Sequence, residues 1–216
     1  MSASFQAAAA GHAGIAPDPR RPLSPKTGEA MSLRQPTRSF EIPEPARLSP
    51  EPIPASLKEA MRHLVGGVSV VTAGLGDERT GATVTSAHSL SVDPETMVVS
   101  INRSSSTWFA IQKTGHFCVN LLRADQQDVA DRFAGRGGIK GPQRYEGARW
   151  SVLETGAAAL DDAVASVDCE VEHILERHSH AVIFGAVRAV VIRGGPALVY
   201  SHGRYGEYRH GMEPVA

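Results

Sequence analysis

Two clusters of small hydroxyl side chains are the strongest chemical signal in the sequence. They are Thr83-Val84-Thr85-Ser86 and Ser104-Ser105-Ser106-Thr107, and they flank an apolar predicted strand at Met97–Ile101. The second cluster opens an amphipathic segment typical of a helix. The start of a helix has free backbone N–H groups and the positive end of the helix dipole. Hydroxyls placed there could hold a phosphate monoester or the edge of a flavin without a lysine-bearing phosphate loop.

Each cluster also has a simpler explanation. Serine and threonine are common helix N-caps, and threonine is common in strands. One cap needs one hydroxyl, however, and four follow each other here, directly after Arg103, a cation that could pair with an anion. In the first cluster, the alternation of a strand would place Thr83 and Thr85 on one face and Val84 and Ser86 on the other. An anion site and plain structural roles both remain open at this point.

Other polar residues stand next to predicted strands. His178 and His180 form an H-x-H sequence that could be one edge of a metal site, but no third ligand is convincingly placed. A histidine in a turn, or one at a cofactor edge that holds a proton near neutral pH, is the alternative. Near the C-terminus, the Gly203-Arg204-Tyr205 turn could be a loop tip or a lid, and Tyr205 is suited to stacking on a ligand.

The standard nucleotide and nucleophile motifs are absent from the sequence. It has no G-x-G-x-x-G between a strand and a helix, no phosphate loop of the G-x-x-x-x-G-K-[ST] type and no G-x-S-x-G elbow. A nucleotide, if bound, would therefore be bound by another scaffold.

The overall composition is that of an ordinary globular protein. A chain of 216 residues with a formal net charge of −1 fits one domain, and its charge argues against nucleic acid or an acidic membrane as partner. No apolar run approaches the roughly 20 residues of a membrane helix, and no secretory signal is recognised. Cys118 and Cys169 lie in apolar runs, which favours buried free thiols and a cytoplasmic location.

The N-terminal quarter of the chain differs from the rest. Ten of the 14 prolines fall between Pro17 and Pro54, among alanine, serine and scattered charges. Such a segment buries too little apolar surface to offset its ordering entropy. We therefore expect residues 1–52 to be disordered and residues 53–212 to form the folded domain.

Short strands outnumber helices in the remainder. Helices are predicted at 56–64, 105–114 and 125–134, the first with Ser56 as N-cap and Glu59 at the capping-box position. Strands are predicted at 68–73, 81–89, 97–101, 117–122, 164–175, 181–192 and 197–200. Short strands joined by tight turns favour an antiparallel barrel with helices at its ends over a doubly wound parallel sheet.

A series of short motifs then occurs in a fixed order between about Leu57 and Tyr208. They are M-R-H-L-V-G-G-V-S-V-V-T at 61–72, G-A-T-V-T-S at 81–86, S-L-S-V-D-P at 89–94, Ser104–Thr107, G-H-F-C-V-N-L-L at 115–122, Arg132-Phe133, and Ser179-His180 before a strand. In this order they resemble the flavin reductase family with the FMN-binding split-barrel fold, the reductase components of two-component flavin-dependent monooxygenases.

The resemblance implies a mainly β fold with some α, an antiparallel split β-barrel with Greek-key connections and short flanking helices. It also implies FMN or FAD as cofactor, NADH or NADPH as co-substrate, a homodimer, and a partner monooxygenase that receives reduced flavin. The rival expectations are an oxidase or oxygenase that acts directly on a small substrate, and a non-catalytic flavin-binding redox sensor.

The resemblance further implies a set of site residues. His180 would lie where the nicotinamide approaches the flavin, and Ala181 replaces the threonine that commonly follows this histidine. The contacts to the isoalloxazine edge and the nearby ribityl chain would come from the first hydroxyl cluster. The ribityl and phosphate contacts would come from Ser100, Asn102 and the second cluster, and the pocket lining and mouth from three further side chains. The full set is Thr83, Val84, Thr85, Ser86, Ser100, Asn102, Ser104, Ser105, Ser106, Thr107, Asn120, Arg204 and Tyr205. No metal is expected.

Overall fold

The structure is a computed structural model that describes residues 56–209. Over this range the predicted fold class is confirmed, since antiparallel strands dominate and the helices are short. The prediction of disorder for residues 1–52 lies outside the described residues.

Among the described elements, twelve strands outnumber three α-helices, and most of the strands follow each other without a helix between them. The helices are α1 (Leu57–Arg62), α2 (Ser106–Thr114) and α3 (Gln127–Phe133), with 3-10 turns at Gly76–Glu78, Arg136–Gly138 and Gly141–Tyr145. The strands are β1 (Gly66–Gly67), β2 (Ser69–Ala73), β3 (Thr80–Val84), β4 (His88–Val92), β5 (Glu95–Asn102), β6 (His116–Leu121), β7 (Trp150–Val152), β8 (Ala158–Leu160), β9 (Ala165–Arg177), β10 (His180–Ile192), β11 (Ala197–Ser201) and β12 (Arg204–Tyr208).

The main sheet has the order β3-β2-β6-β9-β10-β5-β4, with every neighbouring pair antiparallel. Its two edge strands, β3 and β4, are joined by only the residues from Thr85 to Ala87. A linker of that length spans at most about 14 Å, whereas the edges of a flat sheet of this size would lie roughly 29 Å apart. The sheet therefore curls until its edges nearly meet, which leaves a split between β3 and the β5 side.

Helix α2 fills the inside of the curled sheet. Trp108 and Ile111, three residues apart on one helical face, are buried with Phe117 and Ile183 from the sheet. Ser105 caps the helix by accepting a hydrogen bond from the Trp108 backbone N–H at 3.2 Å, and Gly115 ends it in the left-handed conformation, at φ 73°. These two signals explain why the helix begins within the second hydroxyl cluster, at Ser106, and ends at Thr114.

The capping box of α1 is confirmed, since the Ser56 hydroxyl accepts from the Glu59 N–H and the Glu59 carboxylate accepts from the Ser56 N–H. The predicted single strand at 81–89 is wrong. The chain forms β3, leaves the sheet after Val84 and enters β4 at the opposite edge. The alternation of side chains and the β propensity continue from β3 into β4. The local sequence pattern therefore could not reveal that the chain crosses from one edge of the sheet to the other.

Both cysteines are buried free thiols, as predicted. Burial raises the pKa of Cys169 to about 12 and also raises that of Cys118. Neither thiol is a reactive group at neutral pH.

Candidate functional site

The split between β3 and the chain after β5 is bordered by hydroxyl groups. The Ser86 hydroxyl donates to the Ser100 carbonyl at 3.1 Å, and the Thr80 and Ser106 hydroxyls are 2.8 Å apart. Residues 80–86 thus run alongside residues 100–106 in the opposite direction, joined by side chains and by no backbone ladder. An edge strand keeps backbone N–H and C=O groups unpaired on one side, so the split offers both backbone and hydroxyl partners to a ligand.

The first part of the β3 edge is already covered. The Tyr145 hydroxyl donates to the Thr80 carbonyl at 2.6 Å, and the Arg144 guanidinium donates to the Gly81 carbonyl. Tyr145 is buried and packs with Trp150 and Phe133. The contacts from Tyr145 and Arg144 reach only as far as Gly81. The end of β3 nearest Thr85 is therefore still open to a ligand.

A tight turn around Asn102 shapes the second hydroxyl cluster. The Asn102 carboxamide oxygen accepts from both the backbone N–H and the hydroxyl of Ser104, each at 2.8 Å. The Ser105 hydroxyl donates to the Asn102 carbonyl at 2.7 Å while it caps α2. The capping explanation therefore holds for Ser105, while Asn102 and Ser104 stay exposed at the helix start. Thr107 is buried inside and does not reach the turn surface.

His180 lies directly across from this turn. It is the Cα partner of Asn102 in the β5–β10 ladder, and its Nδ1 is 2.9 Å from the Ser179 hydroxyl. Arg103 joins the two sides, because its backbone N–H donates to Ser179 and its guanidinium donates to the His178 carbonyl and pairs with Glu176. Arg103 is thus engaged with the β9–β10 turn. No group of three or more metal-binding side chains occurs between residues 56 and 209.

A cavity of about 250 Å³ lies on the other side of Thr85, and we call it the tyrosine cavity. The Tyr205 hydroxyl donates to the Asp131 carboxylate at 2.9 Å, and Arg136 pairs with the same carboxylate at 3.0 Å. Burial, together with Asp131, raises the pKa of Tyr205 to about 12, so that its phenol stays protonated. The lining residues are Val68, Thr83, Val84, Thr85, Ala134, Arg136, Tyr200 and Tyr205.

The predicted residues of the first cluster divide between the tyrosine cavity and the split, although Val84, predicted on the face opposite Thr83 and Thr85, also lines the cavity. Thr83 and Thr85 both line the tyrosine cavity, whereas Ser86 points to Ser100 across the split. The Thr83 hydroxyl is already used, since it donates to the Ala130 carbonyl of α3 at 2.6 Å. Thr85 is exposed and its side chain has no hydrogen-bond partner among the described residues, so it is the free member of the pair.

Asn120 must be reassigned from cofactor binding to a structural role. Its side chain is fully buried, and its Nδ2 donates to the Val70 carbonyl at 3.2 Å. Its Oδ1 accepts from the Leu160 N–H at 2.7 Å and from the Ser166 hydroxyl at 2.8 Å. These contacts fasten the β7–β8 hairpin to the sheet and leave the carboxamide no capacity for a ligand.

The predicted Arg204 is exposed at the start of β12 and makes no contact that would orient it within the described part of the chain. Sequence reasoning missed Tyr200 and Arg136 as lining residues of the tyrosine cavity. The Tyr200 ring meets Tyr205 edge-on, with centroids 5.1 Å apart. In the sequence, Tyr200 is typical of a strand and Arg136 of the end of a helix. Only the folded structure brings these two residues next to Thr85.

The residues present fit a planar, polar-edged ring with an anionic tail. Aromatic rings and Thr85 form one wall, the open part of β3 offers backbone donors, and the start of α2 at Ser106 offers to an anion N–H groups that have no acceptor within the helix. A split antiparallel barrel with this border defines a class of small-ligand-binding β-barrel domains. Residues 61–209 match the family described as flavin reductase like domain, and the chain belongs to that family.

Sequence relatives support this assignment. The chain is 35% identical to FMN reductase (NADH) RutF 2 of Rhizobium rhizogenes over 168 residues, which cover 77% of this chain and 96% of the relative. It is 39% identical to FMN reductase (NADH) RutF 1 of Methylorubrum extorquens over 155 residues, which cover 70% and 75%.

Solved structures agree. BorF, the flavin reductase component of a bacterial two-component tryptophan halogenase, superposes with a TM-score of 0.65 at 28% identity, over 70% of this chain and 95% of BorF. Nitrilotriacetate monooxygenase component B from Mycobacterium thermoresistibile gives a TM-score of 0.64 at 28% identity, over 73% of this chain and 87% of that one.

Proposed function

We propose that the protein is an NADH-dependent flavin reductase that reduces FMN or FAD and delivers the reduced flavin to a partner flavin-dependent monooxygenase or halogenase. The single observation that carries the proposal is the open end of β3 together with the residues that follow it, 82–86, beside the hydroxyl-bearing turn at Asn102. Family membership supports it, and so do relatives named as NADH-dependent FMN reductases and as reductase components of two-component systems.

Each border of the split takes one part of the flavin in this proposal. Thr85, Ser86 and the backbone of β3 hold the polar edge of the ring, and Ser100 lies beside the ribityl chain. Asn102 and Ser104 with the first N–H groups of α2 hold the phosphate, a placement supported by the exposed turn at the helix start. Tyr205 and Tyr200 form the apolar wall, with Arg204 at the mouth.

A bound flavin would supply the redox chemistry by accepting a hydride from nicotinamide C4 at its N5. The protein needs no nucleophile for this and contributes orientation and electrostatics. Backbone and hydroxyl donors along the ring edge stabilise negative charge that gathers there. His180 orients the nicotinamide or supplies a proton, and its Nδ1 contact with Ser179 fixes which ring nitrogen faces the ligand.

The test is stopped-flow reduction of bound flavin by NADH. We expect His180→Ala to lower the hydride-transfer rate, by about tenfold or more, with a smaller change in flavin affinity. His178→Asn is the matched control, because asparagine tolerates the positive φ of 49° at this neighbouring position. An unchanged rate in His180→Ala would remove that role. Flavin binding without NADH oxidation in the unaltered protein would refute the reductase assignment itself.

The protein is further proposed to be a cytoplasmic homodimer. An apolar cavity of about 410 Å³ opens on the face of the main sheet, with Met97, Val167, Val190 and Ile192 among its lining residues. Ile192 is 75% exposed and Val190 is 48% exposed. A second copy of the chain packed on this face would remove these apolar side chains from water. Among residues 56–209 no helix is long and apolar enough to cross a membrane. Sedimentation equilibrium of the full chain tests the dimer, and a monomer mass would contradict it.

A further inference from the structure

His180 lies at the exposed tip of the β9–β10 hairpin. All residues from Glu176 to His180 are exposed, so that no core packing fixes this tip. Only His178 and Ser179 separate the two strands. His178 has a φ of 49°, in the left-handed region that is costly for a residue with a Cβ. A short exposed turn of this kind needs contacts from outside itself to keep one conformation.

Arg103, in the connection between β5 and α2, supplies such contacts. Its backbone N–H donates to the Ser179 carbonyl at 2.9 Å, and its guanidinium donates to the His178 carbonyl at 3.0 Å. Both carbonyls of the two-residue turn therefore accept from one residue. The same guanidinium forms an ion pair with Glu176, which precedes the turn on β9. Arg103 thus fastens the tip of the hairpin to the start of α2.

The contacts of Arg103 continue to the His180 imidazole. The Ser179 hydroxyl lies 2.9 Å from the His180 Nδ1. The ladder between β5 and β10 ends at the pair of Asn102 and His180, so that beyond this pair the turn depends on Arg103. A displacement of the turn would carry the Ser179 hydroxyl away from Nδ1 and leave the imidazole free to adopt other rotamers.

Two other roles for Arg103 agree less well with these contacts. A guanidinium beside the second hydroxyl cluster could hold a phosphate, but this one is already bound to a carboxylate and a carbonyl. It could also serve stability alone. The side chains of Arg103 and Glu176 are 42% and 43% exposed, however, and exposed ion pairs contribute little to stability. The position of a reacting group is far more sensitive, because a misplacement of about 1 Å can slow a reaction strongly.

We propose that Arg103 is a positioning residue for hydride transfer. By holding the turn at 178–179, it keeps the Ser179 hydroxyl on the His180 Nδ1, and so keeps the other ring nitrogen, Nε2, directed at the nicotinamide. The proposal rests on the proposed reductase function. Arg103 itself touches neither the flavin nor the nicotinamide.

The first test is stopped-flow reduction of bound FMN by NADH in Arg103→Gln. Glutamine is uncharged and shorter, so that it cannot bind the carbonyl and the carboxylate together. We expect the hydride-transfer rate at saturating NADH to fall about tenfold, with an unchanged dissociation constant for FMN. Arg188→Gln is the matched control, because Arg188 forms a similarly exposed ion pair with Glu170 between β10 and β9, outside the proposed site. Its rate should be normal, and an equally normal rate in Arg103→Gln would overturn the proposal.

A double variant tests whether Arg103 acts through His180. When Arg103→Gln and His180→Ala are combined, the rate should equal that of His180→Ala alone, because no imidazole is left to position. A further fall of about tenfold in the double variant would overturn the proposal, since independent sites give additive effects. A weaker affinity of Arg103→Gln for FMN, with normal affinity for riboflavin, would also overturn it, because Arg103 would then be a phosphate ligand.

NMR of the protein without flavin separates this proposal from the reductase function. The imidazole signal of His180, assigned by its loss in His180→Ala, is expected to shift in Arg103→Gln and to stay in place in Arg188→Gln. An unchanged signal in Arg103→Gln would overturn the proposal, whether or not the protein oxidises NADH. A shifted signal in a protein that does not oxidise NADH with either flavin would support the hold of Arg103 on His180 and refute the reductase function alone.

Discussion

Two polar regions of this barrel look alike in sequence and behave differently in the structure. Around Asn120, the Thr72 and Ser166 side chains are buried, and they share one hydrogen-bonded network with that carboxamide. Around the split, Thr85 and Ser104 lie at the surface beside an edge strand with no ladder partner on its outer side. The polar groups of the buried network are all hydrogen-bonded within the protein. At the border of the split, some hydroxyl and backbone groups have no partner within the described residues and can bind a ligand.

This difference shows that residue type alone does not mark a ligand contact. A buried polar group without a hydrogen-bond partner destabilises the folded state. The fully hydrogen-bonded Asn120 therefore contributes to the stability of the fold. A hydroxyl at an open strand edge costs nothing in the free protein and can exchange water for a ligand. Substitutions in the two regions should therefore separate stability from flavin affinity.

The largest expected effect is on stability, from Asn120→Ala. The change leaves the buried Leu160 N–H and Ser166 hydroxyl without their acceptor and opens a small cavity. We expect the free energy of unfolding to fall by about 3 kcal/mol, measured by urea denaturation. Ser104→Ala, at an exposed position, should cost far less. Equal losses of stability from the two variants would remove the distinction between the regions.

The next effect is on flavin binding and comes from Gly66→Ala. A Cβ at Gly66 would lie 2.9 Å from the Thr85 Cβ, so that Thr85 must shift in the wall of the tyrosine cavity. We expect the dissociation constant for FMN to rise about tenfold, since one well-placed contact is worth about that factor. Gly67→Ala is the matched control, because a Cβ there meets nothing within 4 Å. Fluorescence titration of both variants with FMN measures the effect. Equal affinities of the two variants for FMN would contradict the placement of Thr85 at the flavin.

A smaller effect is expected from Ser86→Ala, which removes the hydroxyl contact to the Ser100 carbonyl across the split. The loss of one part-exposed hydrogen bond should cost at most about 1 kcal/mol of stability and weaken FMN binding several-fold. Ser151→Ala, in an exposed part of β7, serves as control for both measurements. A large loss of stability with normal flavin affinity would assign Ser86 to the same structural role as Asn120.

Local signals in the sequence predicted the elements well and the site only in part. The Ser56–Glu59 capping box and the start of α2 at Ser105 depend on neighbours within one helical turn, and both were predicted. The passage of the chain at Thr85 from one edge strand of the sheet to the other was not predicted. The alternation of side chains continues across this point although the chain moves between opposite edges of the sheet.

The errors within the site have the same origin. Asn120 follows a strand pattern whether it faces a ligand or the β7–β8 hairpin, and the choice depends on residues 40 positions away in sequence. Tyr200 and Arg136 meet Thr85 only after the barrel has formed. Contacts of this kind have no signature in local spacing.

The most direct test of the central claim is hydrogen–deuterium exchange of the full chain with and without FMN. If the flavin lies in the split, exchange slows in peptides that cover 80–87 and 100–108, while peptides from the β7–β8 hairpin at 150–160 do not change. Protection confined to other parts of the chain, with both borders of the split unaffected, would contradict the account.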